Sequence, residues 1–271
     1  MKKMKITSII TIFIILIFLL KLWFDGQKIN TTTFVLNEDG VCLIKNVFTQ
    51  EEIENIQKMK ELEIKKYIIK KFSKLPEGYV FQDYIWVIKK SSVHTCHRDN
   101  NGDFFNLGQK HPSYTILFYL EDIDKCLGVI PKSHLSPTNY AINLGDSLRN
   151  IQCNKGDAII FNANLIHVGT INHDNTRIQM KISHKDDLEI LNYYQNFNKV
   201  LNKENNIPRP ILKMQRNLTC MFPYMSNLTQ NDNIKSARGT DNGSEITWGQ
   251  KLFSSIFYGN KDFYDLPNVK M

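Results

Sequence analysis

No two of the five cysteines are spaced as Cys-x-x-Cys; Cys42, Cys96, Cys126, Cys153 and Cys220 are scattered and odd in number. The spacing of a structural zinc site is therefore absent, and at most one or two disulfides can form. Basic residues outnumber acidic ones, 34 to 27, for a formal net charge of +7. Yet no basic stretch is interleaved with aromatics that would stack on bases, so nucleic acid is not expected as a partner. Disorder is excluded too, because 42% of the residues are hydrophobic. A chain of 271 residues is long enough to bury one sizeable core.

What is present begins with an apolar run from Ile6 to Phe24, broken only by Thr7, Ser8, Thr11 and Lys21. As a helix rising ~1.5 Å per residue it spans about 28 Å, close to the hydrocarbon thickness of a bilayer. It has no polar face. Lys2, Lys3 and Lys5 precede it, and Leu20-Lys21-Leu22-Trp23-Phe24-Asp25 lacks the small residues of a signal-peptide cleavage site. The expectation is an N-terminal transmembrane helix through residues 6–24, acting as an uncleaved anchor with the rest of the chain lumenal or extracytoplasmic. Secretion after cleavage is the alternative. Four Asn-x-Ser/Thr sequons, at Asn30, Asn217, Asn227 and Asn242, agree with either placement.

Past a short polar stalk at 27–33 the pattern becomes that of short strands and turns. Val41 to Ile44 reads as a strand after Asp39-Gly40. Thr49 then caps a helix, with Glu52 completing a capping box and Ile53, Ile56 and Met59 on one face. Tyr84 to Ile88, Ser113 to Leu120, Ala158 to Phe161 and Arg177 to His184 read as strands, separated by turn formers such as Asn100-Asn101-Gly102-Asp103 and Lys155-Gly156-Asp157. This spacing predicts an antiparallel sandwich or barrel. A helix is expected over about 188–202. Residues 191–271 are otherwise an extension whose aromatics Trp248, Phe253, Phe257 and Tyr258 read as packing on the barrel.

Chemistry concentrates in His94-Thr95-Cys96-His97-Arg98-Asp99. In an extended segment, residues two apart share a face, so His97 and Asp99 converge on one point while Cys96 turns away. A third ligand from His167 completes a face of two histidines and one carboxylate. That set leaves positions open on an octahedral metal, as non-haem Fe(II) oxygenases require. Ten residues beyond His167, across the turn-forming Asn172-His173-Asp174-Asn175, stands Arg177, whose guanidinium fork suits a dicarboxylate. Strict alternation puts Arg177, Gln179, Lys181 and Ser183 on a polar face, which for a half-buried strand is the outer one. A zinc hydrolase on the same ligands lacks a general base near His97.

These residues resemble the phytanoyl-CoA dioxygenase-like branch of the Fe(II)/2-oxoglutarate-dependent oxygenases. The resemblance is carried in order by Phe34 to Met59, His97-Arg98-Asp99, Leu120-Glu121-Asp122 through Gly128 to Ser133-His134, and Gly156-Asp157 through His167 to Arg177. It covers roughly residues 34–186. It implies a mainly β fold, a double-stranded β-helix (jelly-roll) with flanking helices in a domain at 34–190, between the anchor at 1–26 with its stalk and the extension at 191–271. It further implies Fe(II) held by His97, Asp99 and His167, and 2-oxoglutarate held by Arg177. With O2, the outcome is hydroxylation of a small-molecule or side-chain substrate. Lys132 departs from the family's signature glycine. Gly169 stands where a hydroxyl residue often helps hold the cosubstrate, leaving Thr170 as its substitute, with Thr115 and Tyr119 as further cosubstrate contacts. The rival expectation is an inactive jelly-roll module serving binding or structure.

Overall fold

The computed structural model describes residues 6–23, 28–29, 33–143, 147–172, 176–191, 195–229, 246–266 and 269. In chain order the helices are α1 (Ile6–Trp23), α2 (Leu36–Asp39), α3 (Gln50–Lys58), α4 (Glu61–Lys71), α5 (Arg209–Met221) and α6 (Trp248–Tyr258). The strands are β1 (Lys28–Ile29), β2 (Val41–Ile44), β3 (Tyr79–Phe81), β4 (Tyr84–Ile88), β5 (Tyr114–Tyr119), β6 (Ile123–Val129), β7 (Arg149–Cys153), β8 (Ala158–Asn162), β9 (His167–Val168), β10 (Arg177–His184) and β11 (Phe197–Leu201).

They form two sheets. The larger runs β11-β4-β10-β5-β8-β2 with β3 also on β10, and the smaller runs β1-β7-β6-β9. Their facing sides share one core, in which Leu117, Tyr119 and Phe161 of the larger sheet meet Leu127, Val129 and Ile151 of the smaller. This arrangement is consistent with a jelly roll.

Strand alternation divides the larger sheet cleanly. Ile116 and Phe118 of β5, Ile178, Met180 and Ile182 of β10, and Ile85 and Val87 of β4 point outward. There they meet Ile53 and Ile56 of α3 and Ile64 and Ile68 of α4. Each such side chain removed from water contributes roughly 1.5–3 kcal/mol. Because helices cover the outer face, the apolar side of β10 is the outer one. Arg177, Gln179, Lys181 and Ser183 face inward and are all buried, the reverse of the simple expectation. The capping box forms as expected, Thr49 Oγ1 accepting from Glu52 N at 3.2 Å and Glu52 Oε2 from Thr49 N at 2.8 Å.

Two further expectations need correction. The helix over 188–202 is replaced by β11, which pairs parallel with β4 from Phe197↔Tyr84 to Leu201↔Ile88. Alternation of Phe197, Lys199 and Leu201 on the inner face outweighs local helical preference. The transmembrane span is not supported either: among the described residues no helix is long and apolar enough to cross a membrane. Apolar side chains from Ile10 to Leu20 of α1 are exposed. Beyond them Leu22 is buried and its carbonyl accepts from Asn217 Nδ2 of α5 at 2.7 Å.

That bond also bears on the sequons. Asn217 Nδ2 is spent on Leu22 O and Asn227 Nδ2 on Arg98 O at 3.0 Å, so a glycan on either nitrogen would displace an internal hydrogen bond. Asn30 and Asn242 lie outside the described residues, as do the centre of the 172–175 turn and most of the stalk. The extension packs as expected, with Phe253, Phe257 and Tyr258 of α6 against Tyr84, Trp86 and Ile88 of β4. Trp248 stays exposed.

Candidate metal centre

The segment carrying His97 and Asp99 is laid beside the smaller sheet by its own backbone. His97 N donates to His167 O and His167 N to His97 O, both at 2.9 Å, and Asp99 N donates to Ala163 O at 2.9 Å. Pairing through residues 97 and 99 leaves the backbone groups of Cys96 and Arg98 on the opposite edge. Side chains of the C-terminal extension meet that edge. Cys96 N donates to Thr219 Oγ1 at 3.1 Å, Ser226 Oγ to Cys96 O at 2.7 Å, and Arg98 N to Asn227 Oδ1 at 3.0 Å. A buried strand edge must satisfy such groups. Here hydroxyls and an amide substitute for a neighbouring strand.

With the segment fixed, the three side chains converge. His97 Nε2 lies 3.5 Å and His167 Nε2 3.8 Å from Asp99 Oδ1, and the imidazole centroids are 4.3 Å apart. One ligand atom from each residue falls within 4.8 Å of the others. His97 Nδ1 is 2.9 Å from Thr95 O and His167 Nδ1 is 3.0 Å from Leu165 O. A carbonyl only accepts, so each Nδ1 carries the hydrogen and each Nε2 presents a lone pair toward Asp99. Backbone carbonyls as outer partners are what orient histidine ligands. All three residues are about 5% exposed.

Asp99 Oδ2 faces the other way. It accepts from Thr115 Oγ1 and from Lys181 Nζ, each at 2.5 Å. Lys181 Nζ also reaches Thr115 Oγ1 at 2.8 Å and Asn101 Oδ1 at 3.0 Å. Burial pushes the Asp99 carboxyl upward, but the Lys181 ammonium outweighs it and holds it well below the usual carboxylate range. Thr115 thus fixes the Asp99 carboxylate, where sequence reasoning assigned it to the cosubstrate. Lys181 and Asn101 were missed. The available signal for Lys181 was its position four residues beyond Arg177, on the same face of a strand.

Arg177 is 3% exposed, paired across β10 with Ile88 and Tyr119. Tyr119 shares its face. Burial pushes that phenol well above its ordinary range, Arg177 opposes the shift, and the hydroxyl donates to Cys126 O at 3.4 Å. Two buried donors on or beside this concave face, Trp86 Nε1 and Asn101 Nδ2, have no hydrogen-bond partner among the described residues. Buried donors left so are costly, and an acidic ligand would satisfy them.

Thr170 lies apart. Its hydroxyl accepts from Asn172 N at 3.0 Å, and it lines a cavity of about 240 Å³ with Asp124, Lys125 and Arg216 that none of the triad lines. Gly169 has a steric reason. A Cβ there would lie 1.9 Å from Val93 O, so no side chain fits, a hydroxyl residue included. Gly169→Ala is expected to cost about 3 kcal/mol, the upper end of the usual overpacking range, because the obstacle is a backbone carbonyl and the strand that must move carries His167. Urea unfolding midpoints of the two proteins measure this, and equal midpoints would refute it. Lys132 occupies a φ of +66°, the left-handed region that glycine enters without penalty. That explains why glycine suits the position.

Fold and site together define a β-rich protein, consistent with a jelly roll, carrying a buried cluster of two histidines and one carboxylate. No protein-family model matches the chain, and no curated protein does. Among solved structures it is similar to HygX from Streptomyces hygroscopicus with nickel and 2-oxoglutarate bound, at 15% identity and TM-score 0.43, over 55% of this chain and 84% of that one. It is similar also to EvdO2 from Micromonospora carbonacea var. aurantiaca complexed with 2-oxoglutarate, at 10% identity and TM-score 0.41, over 58% and 92%. A third is SnoK, a non-heme alpha-ketoglutarate-dependent carbocyclase from nogalamycin biosynthesis, at 13% identity and TM-score 0.38, over 58% and 88%. These likenesses are distant, and the site's own geometry carries the functional reading.

Proposed function

We propose that this protein is an Fe(II)- and 2-oxoglutarate-dependent oxygenase that hydroxylates an organic substrate. The observation that carries the reading is the convergence of the His97 and His167 Nε2 lone pairs on Asp99 Oδ1 at 3.5 and 3.8 Å. Each imidazole is fixed by a backbone carbonyl. Neutral nitrogen and anionic oxygen donors on one side suit iron(II) and leave room for further ligands. When bound, iron supplies the redox chemistry by which RH, 2-oxoglutarate and O2 become ROH, succinate and CO2.

The chain's residues hold and exclude. His97, Asp99 and His167 bind the metal, while Thr115 and Lys181 keep Asp99 turned toward it. Arg177 receives the distal carboxylate of 2-oxoglutarate. It lies four residues from Lys181 on the same face of β10, roughly 13 Å along the strand. Phe161 lies against the His167 ring, with centroids 4.5 Å apart, and closes that side to water.

The test is release of succinate from 2-oxoglutarate by the anaerobically purified, Fe(II)-loaded protein once air is admitted. Slow turnover without added substrate, absent in His97→Ala, is the expected result. No turnover, together with no iron-dependent absorption band on adding 2-oxoglutarate, would overturn the reading.

A further inference from the structure

We infer that Lys181 is a positioning residue that restricts Asp99 to one coordinating oxygen and weakens the centre's grip on divalent cations. This rests on the iron-site reading above. Asp99 offers two oxygens, and the structure spends them differently. Oδ1 is the atom facing both histidine nitrogens. Oδ2 takes the Lys181 ammonium and the Thr115 hydroxyl, each at 2.5 Å. The three protons of the ammonium are all directed, to Asp99, Thr115 and Asn101.

The clamp cannot easily swing away. Lys181 is 2% exposed, is registered directly opposite Thr115 on β5, and sits between Met180 and Ile182, both locked into the outer core. Its carbonyl accepts from Gln82 N at 2.9 Å.

Two consequences follow from one carboxylate serving two cations. A metal at Oδ1 and an ammonium at Oδ2 repel each other across a buried carboxylate, where screening is weak. The centre therefore binds divalent ions less tightly than the same ligands would without the lysine. With Oδ2 occupied, the carboxylate also cannot close on the metal with both oxygens. A coordination position is preserved that a chelating diacid needs.

The signs of these effects separate the proposal from a merely structural role. If Lys181 only braces Asp99, removing it slackens the ligand and weakens metal binding. If it competes with the metal, removing it strengthens metal binding while weakening capture of the diacid. Lys181→Met is close in length and uncharged. Lys181→Arg keeps the charge.

The experiment is anaerobic titration of the full chain with Co(II), followed by the visible ligand-field band, and then titration of the Co(II) protein with 2-oxoglutarate. The expected result is Co(II) binding at least ~tenfold tighter in Lys181→Met than in the native protein, with 2-oxoglutarate bound at least ~tenfold more weakly. Lys181→Arg should hold Co(II) as the native protein does, and this arm carries the test if the neutral variant does not fold. Lys181→Met that folds, by near-UV circular dichroism, yet binds Co(II) equally or less tightly overturns the clamp alone. So does Lys181→Arg with a tenfold gain. Native protein that takes up no Co(II), or takes it up equally in His97→Ala, overturns the iron-site reading and the clamp with it.

Discussion

Asp99→Ala is expected to abolish divalent-metal binding and to destabilise the fold by ~3–5 kcal/mol, the usual cost of removing one partner from a buried ion pair. Asp99 is 6% exposed and Lys181 2%, so the deletion strands an ammonium left with neutral contacts such as Thr115, Asn101 and the Tyr84 ring. The direction of the Asp99 shift sets the pH dependence. A carboxyl held low in the folded state contributes stability above its unfolded value of about 3.9, and loses it as pH falls through the folded value. The advantage of native protein over Asp99→Ala is thus full at neutral pH and narrows only in strong acid. Urea midpoints of both proteins at neutral and acid pH measure it. An advantage that disappears between pH 7 and pH 5 would show that the Lys181 pairing is not what sustains it.

The second large effect belongs to Arg98, which stands in sequence between His97 and Asp99. Its guanidinium donates to Ser133 O at 2.7 Å, Ser136 O at 2.9 Å, Asn164 O, and Tyr224 OH at 2.8 Å. It also lies against the rings of Phe104 and Tyr224. It ties the metal segment to the loop after β6, the turn before β9 and the C-terminal extension at once. Arg98→Met keeps much of the volume but leaves several buried carbonyls without donors, at ~1–3 kcal/mol each. A loss of ~4 kcal/mol lowers the melting temperature by on the order of 10 °C in a chain of this size. Co(II) affinity is expected to fall with it, since His97 and Asp99 flank the lost anchor. Arg98→Lys rescues little, because one ammonium cannot span partners arranged for a planar fork. Native-like melting of Arg98→Met would show that the extension holds the segment by other means.

Much of this was legible in the sequence. The i, i+2 spacing of His97 and Asp99 fixes a shared face once the segment is extended, and that is a property of covalent geometry. The strands at 84–88, 114–119, 158–162 and 177–184 follow from β-branched and aromatic runs bounded by turn formers, and α3 from its capping box. Those signals are local, and local chemistry suffices to produce them.

Three things were decided only by the tertiary structure. Whether the polar side of β10 faces in or out depends on what covers the sheet. With α3 and α4 on its outer face, Lys181 is delivered to Asp99, and alternation alone points the other way. The assignment of residues 197–201 to a strand depends on β4 being there to pair with. And the outer edge of the 95–99 segment is closed by Thr219, Ser226 and Asn227, more than a hundred residues away along the chain. Hydrogen-bond satisfaction of a buried edge is a demand of the folded interior, and no local pattern announces which distant side chains will meet it.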